Sequence, residues 1–244
     1  MIRITGIVTD MIKHSDRHNV LTLFTRERGR MTFVTHGGGG KKGASRMAML
    51  MPLSVVTADI QIDATRELQL LTGISRAEIW HDIYFNPVKS AIAIFMAEFL
   101  NAYLRFSEAD PMLWDYTADT IRHLDRSRKG TANRHIAFLT GMLPYAGISP
   151  DLSGFPSTPG KELWFDMREG SFTDTPPLHR DTLRPQFSQH LGRIVRMNAA
   201  NCHLFRFNAG QRRQILDSLI RYYAIHFPGM RALKSPEVLK ELFE

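Results

Sequence analysis

The sequence contains one cysteine, Cys202, in 244 residues, which excludes a disulfide framework and a cysteine-rich zinc module. A lone thiol is typical of a protein from a reducing compartment. Long apolar runs are also missing. The longest, residues 47–53 and 91–97, are seven residues each, whereas about 20 are needed to cross a bilayer. Because the first twenty residues also lack the apolar core of a signal peptide, we expect a cytoplasmic protein that makes no membrane contact.

Catalytic motifs are equally scarce. Neither G-x-S-x-G nor H-E-x-x-H occurs, and the ten histidines are not spaced with carboxylates as metal ligands are. The glycine run before Lys41 departs from the phosphate-binding loop of ATPases, because Thr35 stands at the first glycine position and Lys42 where Ser or Thr belongs. We therefore predict a protein that is not an enzyme and that holds no cofactor and no metal.

The charge that is present is mostly positive. The net charge is +7 and the isoelectric point about 9.7, within an ordinary globular composition of 43% hydrophobic and 23% charged residues. The excess of positive charge lies toward the two ends of the chain. Residues 1–80 carry a net charge of +4, residues 81–179 carry −3 and residues 180–244 carry +6. This asymmetry favours a polyanionic partner, although solvated surfaces alone also produce such a pattern.

The first eighty residues have the alternation and β-branched content of short strands. A glycine-rich stretch, residues 37–43, opens a predicted loop that ends near Pro52. Five strands in about 75 residues indicate a small barrel, of OB type or, as the alternative, SH3 type. The strands are predicted at residues 2–8, 20–25, 31–35, 53–62 and 67–74.

The chain then becomes helical, so the fold class is α+β, with a barrel domain at 1–80 and a helical domain at 81–244. Apolar residues recur at helical spacing from Val88 to Arg105, and Asn86 precedes them as a helix cap. The Pro/Gly-rich segment 150–182 is predicted to be a β-hairpin insertion because its aromatic residues need a packing partner. Further helices are predicted at about 111–124, 133–145, 183–197, 210–227 and 235–243.

One cluster of cations dominates the candidate binding residues. Residues 26–46 hold six cations against one anion, Glu27. Set on a turn and a flexible loop at one rim of the barrel, such cations suit phosphate tracking, with His36 available to stack on a base. Phe24 and Phe33 are expected in the core, and a solubilising loop is the alternative interpretation. The cations are Arg26, Arg28, Arg30, Lys41, Lys42 and Arg46.

A second basic group surrounds a predicted helix–helix connection at residues 127–131. It comprises Arg122, Arg126, Arg128, Lys129 and Arg134. It is either a second DNA contact or a solvated loop. Cys202 is expected to be a buried structural thiol although it stands next to His203, because residues adjacent in sequence rarely form a reactive dyad.

Taken together, these stretches resemble the RecO family of bacterial recombination proteins. The resemblance rests on residues 6–8, 23–30, the glycine-basic loop and 51–53, and on residues 215–227 and 233–242. It implies an N-terminal OB domain, a helical C-terminal domain and binding of single- and double-stranded DNA at the nucleoid. It further implies strand annealing, cooperation with RecR, contact with single-strand-binding protein and, indirectly, loading of RecA in DNA repair.

One departure from that family concerns zinc. Many relatives carry a four-cysteine zinc module where this chain has residues 155–177, a segment without cysteine. We therefore predict a hairpin held by the packing of Trp164, Phe165 and Phe172 in place of a metal. The rival function is a protein–protein adaptor that recognises an acidic protein tail.

Overall fold

The computed structural model describes residues 2–15, 18–36, 40–61, 65, 68–106, 108–155 and 162–242. The chain divides into two compact units, Met1–Arg126 and Ser127–Glu244. The boundary predicted between residues 80 and 81 lies inside the first unit and stays a prediction.

The N-terminal strands close into a barrel with the order β1-β2-β3-β5-β4. Neighbouring strands are antiparallel except β3 and β5, which are parallel, and β1 closes the barrel against β4. The five-stranded OB-like barrel predicted from the alternating pattern is confirmed. The strands are β1 (Ile2–Lys13), β2 (His18–Thr25), β3 (Gly29–His36), β4 (Val55–Gln61) and β5 (Gln69–Arg76).

Alternate side chains of these strands fill the barrel, as period-2 patterning requires. Val8, Leu23 and Phe33 are fully buried in one cluster. Phe24, on the other face of β2, is also fully buried, and its carbonyl accepts the indole N–H of Trp114 at 2.9 Å. The expectation that both phenylalanines belong to the core is confirmed.

The prediction of a loop from residue 37 to Pro52 is wrong for residues 40–49. These residues form helix α1 (Gly40–Met49). Its second half is rich in Ala and Met, which are strong helix formers, so the short segment folds once Leu50 inserts into the barrel core. The Ala48 carbonyl accepts a bond of 2.9 Å from Arg76 Nη2, which ties the end of α1 to β5.

Two long helices complete the first unit, α2 (Pro87–Tyr103) and α3 (Pro111–Arg126). Asn86 caps α2 as predicted, since its side chain accepts from the backbone N–H groups of Val88 and Lys89. The helix is apolar on most of its circumference and packs against β1.

A buried polar hub links the start of α2 to the end of α3. Lys89 is 1% exposed; its Nζ lies 2.6 Å from Asp82 Oδ2 and donates to the Asp125 carbonyl at 2.7 Å. The Asp125 carboxylate accepts the backbone N–H groups of residues 81–83. Burial raises the pKa of Asp125, but these bonds, followed by the charge of Lys89, outweigh it and hold that pKa below its ordinary value.

The second unit is mainly helical, as predicted. Its longest helix, α6 (Ala209–His226), buries Tyr222 and Tyr223, whose hydroxyls donate to the carbonyls of Ile148 and Leu139. The described helices are α4 (Arg134–Met142), α5 (Pro185–Ile194), α6 (Ala209–His226) and α7 (Ser235–Leu242).

The predicted hairpin insertion is present as β6 (Trp164–Asp166) and β7 (Ser171–Thr173), joined by a third short strand, β8 (Thr182–Leu183), in the order β7-β6-β8. The Phe165 ring lies 4.9 Å from Phe172 and 5.5 Å from Tyr222 between centroids. Aromatic packing therefore holds the hairpin. Within the described ranges, no three His, Cys, Asp or Glu side chains gather as metal ligands would.

Candidate nucleic-acid interface

The β2–β3 turn, residues 26–28, has a fixed backbone. The Thr25 hydroxyl donates to the Gly29 carbonyl at 2.8 Å and accepts the Arg28 N–H at 3.1 Å. Gly29 has φ +68°, and a Cβ there would lie 3.1 Å from backbone atoms of Glu108 and Ala109. Any other residue would combine a strained backbone with contacts tighter than ordinary van der Waals distances. The turn is therefore clamped against the segment that leads into α3.

Arg26 of this turn is engaged by α3. Its Nε lies 2.9 Å from Asp115 Oδ1 and its Nη2 lies 3.0 Å from Asp115 Oδ2, a two-pronged ion pair at the surface. The bond to Asp115 raises the pKa of Arg26, and the same bond lowers the pKa of Asp115. Arg26 can reach a phosphate only by giving up or sharing this carboxylate.

Arg30 is half-buried beside α2. Its Nε donates to Asn101 Oδ1 at 3.3 Å, and Asn101 Nδ2 donates to Asp10 Oδ2 at 3.1 Å. Burial, followed by the charge of Arg105, lowers the pKa of Arg30. The side chain remains cationic because arginine does not deprotonate in proteins, but its position is set by α2.

Arg28 and Arg46 are exposed as well. Arg28 occupies the clamped turn and Arg46 the last turn of α1. Lys41 and Lys42 belong to the first turn of α1. The side chains of His36, Lys41 and Lys42 lie outside the described part of the structure, so their role in binding stays a prediction.

The prediction that all six cations share one rim stays a prediction, because the side chains of Lys41 and Lys42 lie outside the described part of the structure. Thr25 pairs with Gly29 at one end of the β2–β3 hairpin, and His18 pairs with His36 at the other. Seven residue steps at about 3.3 Å place these ends about 23 Å apart along the strands. Arg26, Arg28 and Arg30 form a hairpin cluster at the first end.

Helix α1 contacts two strands of the barrel. Asn19 Nδ2 in β2 donates to Met47 Sδ at 3.5 Å, and Arg76 in β5 donates to the Ala48 carbonyl. Lys41, Lys42 and Arg46 form an α1 cluster by their place on this helix.

The second predicted group is divided between the two units. Arg126 ends α3 in the first unit, while Arg128 and Lys129 begin the second, and all three are exposed. Arg122 is engaged elsewhere, with Nη2 2.6 Å from Glu78 Oε1, and the Glu78 bond raises its pKa.

The groups that restrain these cations are not indicated by any local sequence pattern. Asp115 and Asn101 lie 89 and 71 residues from their partners Arg26 and Arg30.

The expectation that Cys202 is a buried thiol is confirmed. The side chain is fully buried, and burial raises the pKa of the thiol.

Among the described residues, no helix has the length and apolar character that crossing a membrane requires.

The fold defines a class, an OB-like barrel followed by a helical C-terminal region. Residues 1–80 match the family model described as Recombination protein O N terminal, and residues 84–237 match Recombination protein O C terminal. The chain therefore belongs to the RecO family, as its sequence resemblance predicted. Membership supports a role in DNA repair and recombination.

Individual relatives agree along almost the whole chain. The protein is 33% identical to DNA repair protein RecO of Porphyromonas gingivalis strain W83 over 241 residues, which cover 98% of each chain. It is 31% identical to DNA repair protein RecO of Phocaeicola vulgatus, covering 98% of this chain and 97% of that one. The corresponding protein of Bacteroides fragilis is 30% identical over 240 residues.

Proposed function

We propose that this protein is a non-catalytic mediator of DNA repair that binds single- and double-stranded DNA, anneals complementary single strands and helps to load RecA together with RecR. Contact with single-strand-binding protein belongs to the same proposal. Family membership supports it. The observation that carries the DNA-binding part is the exposed Arg28 on a turn that the rest of the first unit holds rigid.

A rigid turn favours phosphate binding for an entropic reason. The backbone of Arg28 is already fixed by Thr25 and by the close approach of Gly29 to Glu108, so binding orders only the side chain. Each neutralised phosphate releases counterions, which gives affinity without base specificity. Arg46, exposed in the last turn of α1, supplies a second cation.

Annealing follows from binding of this kind. Cations that neutralise two backbones remove the repulsion that keeps strands apart, while contacts to phosphate leave the base edges open for pairing. No catalytic group is needed for that step.

The test is a titration of a labelled single-stranded 30-mer, followed by fluorescence anisotropy over a salt series. We expect Arg28→Ala and Arg46→Ala together to lower the affinity and to reduce the salt slope by about 1.4, since each single-strand phosphate contact contributes about 0.7. Arg231→Ala, an exposed arginine of the second unit, is the matched control.

Two outcomes oppose the proposal. Unchanged affinity and slope in the double variant remove these cations from the interface. Binding of an acidic peptide in preference to the oligonucleotide at equal salt assigns the protein to the adaptor class instead.

The mediator step needs its own assay. We expect the protein and RecR together to shorten the lag of RecA filament formation on DNA coated with single-strand-binding protein, and the protein to speed annealing of complementary labelled strands. An unchanged lag with normal DNA binding limits the function to binding and annealing.

A further inference from the structure

Two segments of the second unit contain no acidic residue. The 24 residues 127–150 hold Arg128, Lys129 and Arg134 and no Asp or Glu. The 35 residues 182–216 hold six arginines and no Asp or Glu. With 24 acidic residues in the whole chain, such gaps concentrate positive potential where the two segments meet.

The fold packs these segments against each other. Asn133 Nδ2 donates to the carbonyls of Cys202 at 3.0 Å and Phe205 at 2.8 Å. Arg134 Nη1 donates to the Ala199 carbonyl at 2.6 Å. Gly130 lies so close that a Cβ there would stand 2.6 Å from His203 Cα. The loop of Arg128 and Lys129 is therefore adjacent to the 202–205 turn.

That turn continues into a strip of aromatic side chains. The rings of Phe205 and Phe207 are only partly buried, with centroids 6.1 Å apart and planes inclined by 35°. The exposed Arg206 stands between them. Leu204, directly before the strip, is 69% exposed.

The strip is held on both sides. His190 packs edge-on against Phe207 with 6.4 Å between centroids, and Arg212 Nη1 donates to the Phe207 carbonyl at 3.0 Å. Directly after it, Asn208 and Gln211 form a reciprocal capping box that fixes the start of α6. The rings are presented on a preorganised backbone, which lowers the entropy cost of binding.

Partly exposed rings between exposed cations are the pattern of a stacking platform for single strands, because every unstacked base offers a π-face and every nucleotide a phosphate. A peptide anchor fits less well. The cavity beside the strip, between α5 and α6, has a volume of about 10 Å³, which is room for about one water molecule and not for an apolar side chain.

We infer that the second unit carries its own site for unpaired nucleic acid, in which bases stack on Phe205 and Phe207 while Arg128, Lys129 and Arg206 bind the phosphates. The inference shares the ligand class of the proposed function but rests on different residues, in a different unit. A mediator with a site on each unit can hold two strands at once.

The test separates bases from phosphates. The probes are a labelled thymidine 30-mer and a labelled 30-mer made of abasic nucleotides. The Phe205→Leu, Phe207→Leu double variant keeps apolar packing but removes the rings. We expect it to bind the thymidine probe about tenfold more weakly and the abasic probe within twofold of the wild type. Lys129→Ala with Arg206→Ala is expected to weaken both probes and to reduce the salt slope.

The wild-type protein provides a readout that no folding defect affects. A 30-mer with 5-iodouracil is expected to crosslink on irradiation to the fragments that contain Phe205 or Phe207, identified by mass spectrometry. Arg231→Ala is the control for the charge variants, and urea unfolding verifies that each variant is folded.

Several outcomes overturn the inference: unchanged affinity for thymidine in the double leucine variant, equal loss for both probes, crosslinks confined to the first unit, or loss of acidic-peptide binding alone. Its failure is distinct from that of the proposed function. If the Arg28→Ala, Arg46→Ala variant binds normally while the leucine variant binds more weakly, only the proposed barrel site is excluded. If the wild type binds neither probe, both proposed sites are excluded.

Discussion

Arg26 and Asp115 meet across 89 residues of sequence in a two-pronged ion pair, with N–O distances of 2.9 and 3.0 Å, at the edge of the hairpin cluster. Asp115 thus competes with any phosphate for Arg26. The carboxylate positions the guanidinium. Under the proposed function it also reduces the attraction of Arg26 for DNA, so the expected binding strength depends on an acidic residue that belongs to no basic motif.

Asp115→Asn is therefore expected to strengthen single-strand binding by about two- to fivefold at low salt, because it removes one negative charge and releases Arg26 for a phosphate. Asp119→Asn is the matched control, since Asp119 lies one turn further along α3 and contacts Arg122 at 2.6 Å. An equal gain of affinity in both variants would attribute the effect to net charge. A loss of affinity in Asp115→Asn would show that the ion pair holds Arg26 in its binding position.

Gly130 is expected to be intolerant of substitution because its φ is +68° and His203 occupies the space of a Cβ. Gly147 is the control position. Its φ is +67°, but nothing lies within 4 Å of the place where a Cβ would stand, so a substitution there costs only the strain of the backbone conformation. We predict that Gly130→Ala lowers the free energy of unfolding by about 3 kcal/mol and Gly147→Ala by about 1 kcal/mol, measured by urea denaturation. Equal costs would show that the packing against His203 is loose.

Asp125 is expected to make the free energy of unfolding depend on pH in the acid range. Its folded pKa lies below the ordinary value, so its contribution is fully present above about pH 3.9, the unfolded value, and is lost as the pH falls through the folded pKa. Asp125→Asn is expected to cost about 1 to 2 kcal/mol at pH 7 and to flatten the acid limb of stability against pH. An acid limb identical to that of the wild type would remove Asp125 as its source.

Cys202 is expected to be inert in the folded protein. It is fully buried, and burial raises the pKa of its thiol, so little thiolate forms near neutral pH and reagents have no access. Ellman's reagent is predicted to label it only at the rate of unfolding, and fully in urea. Rapid stoichiometric labelling without denaturant would contradict this burial.

Much of the fold was readable because its determinants are local. The β-forming patterns of residues 2–8, 20–25 and 31–35 predict the first three strands. Apolar residues at helical spacing after Asn86 predict α2 together with its cap. Helix α1 was missed because the neighbouring glycines indicate a loop, while its stability comes from Leu50, which packs in the barrel only after folding.

The candidate site was less predictable because its side chains contact residues that are far away in the sequence. The sequence identifies Arg26 and Arg30 as candidates but contains nothing local that pairs them with Asp115 and Asn101.

A titration of the intact protein with a labelled single-stranded 30-mer, repeated across salt concentrations, measures both DNA binding and the number of phosphate contacts. We predict tight binding in dilute buffer and a logarithmic salt slope of at least about 2, the sum of three or more phosphate contacts. An anisotropy that does not change at any protein concentration in dilute buffer, or an affinity independent of salt, would contradict this prediction.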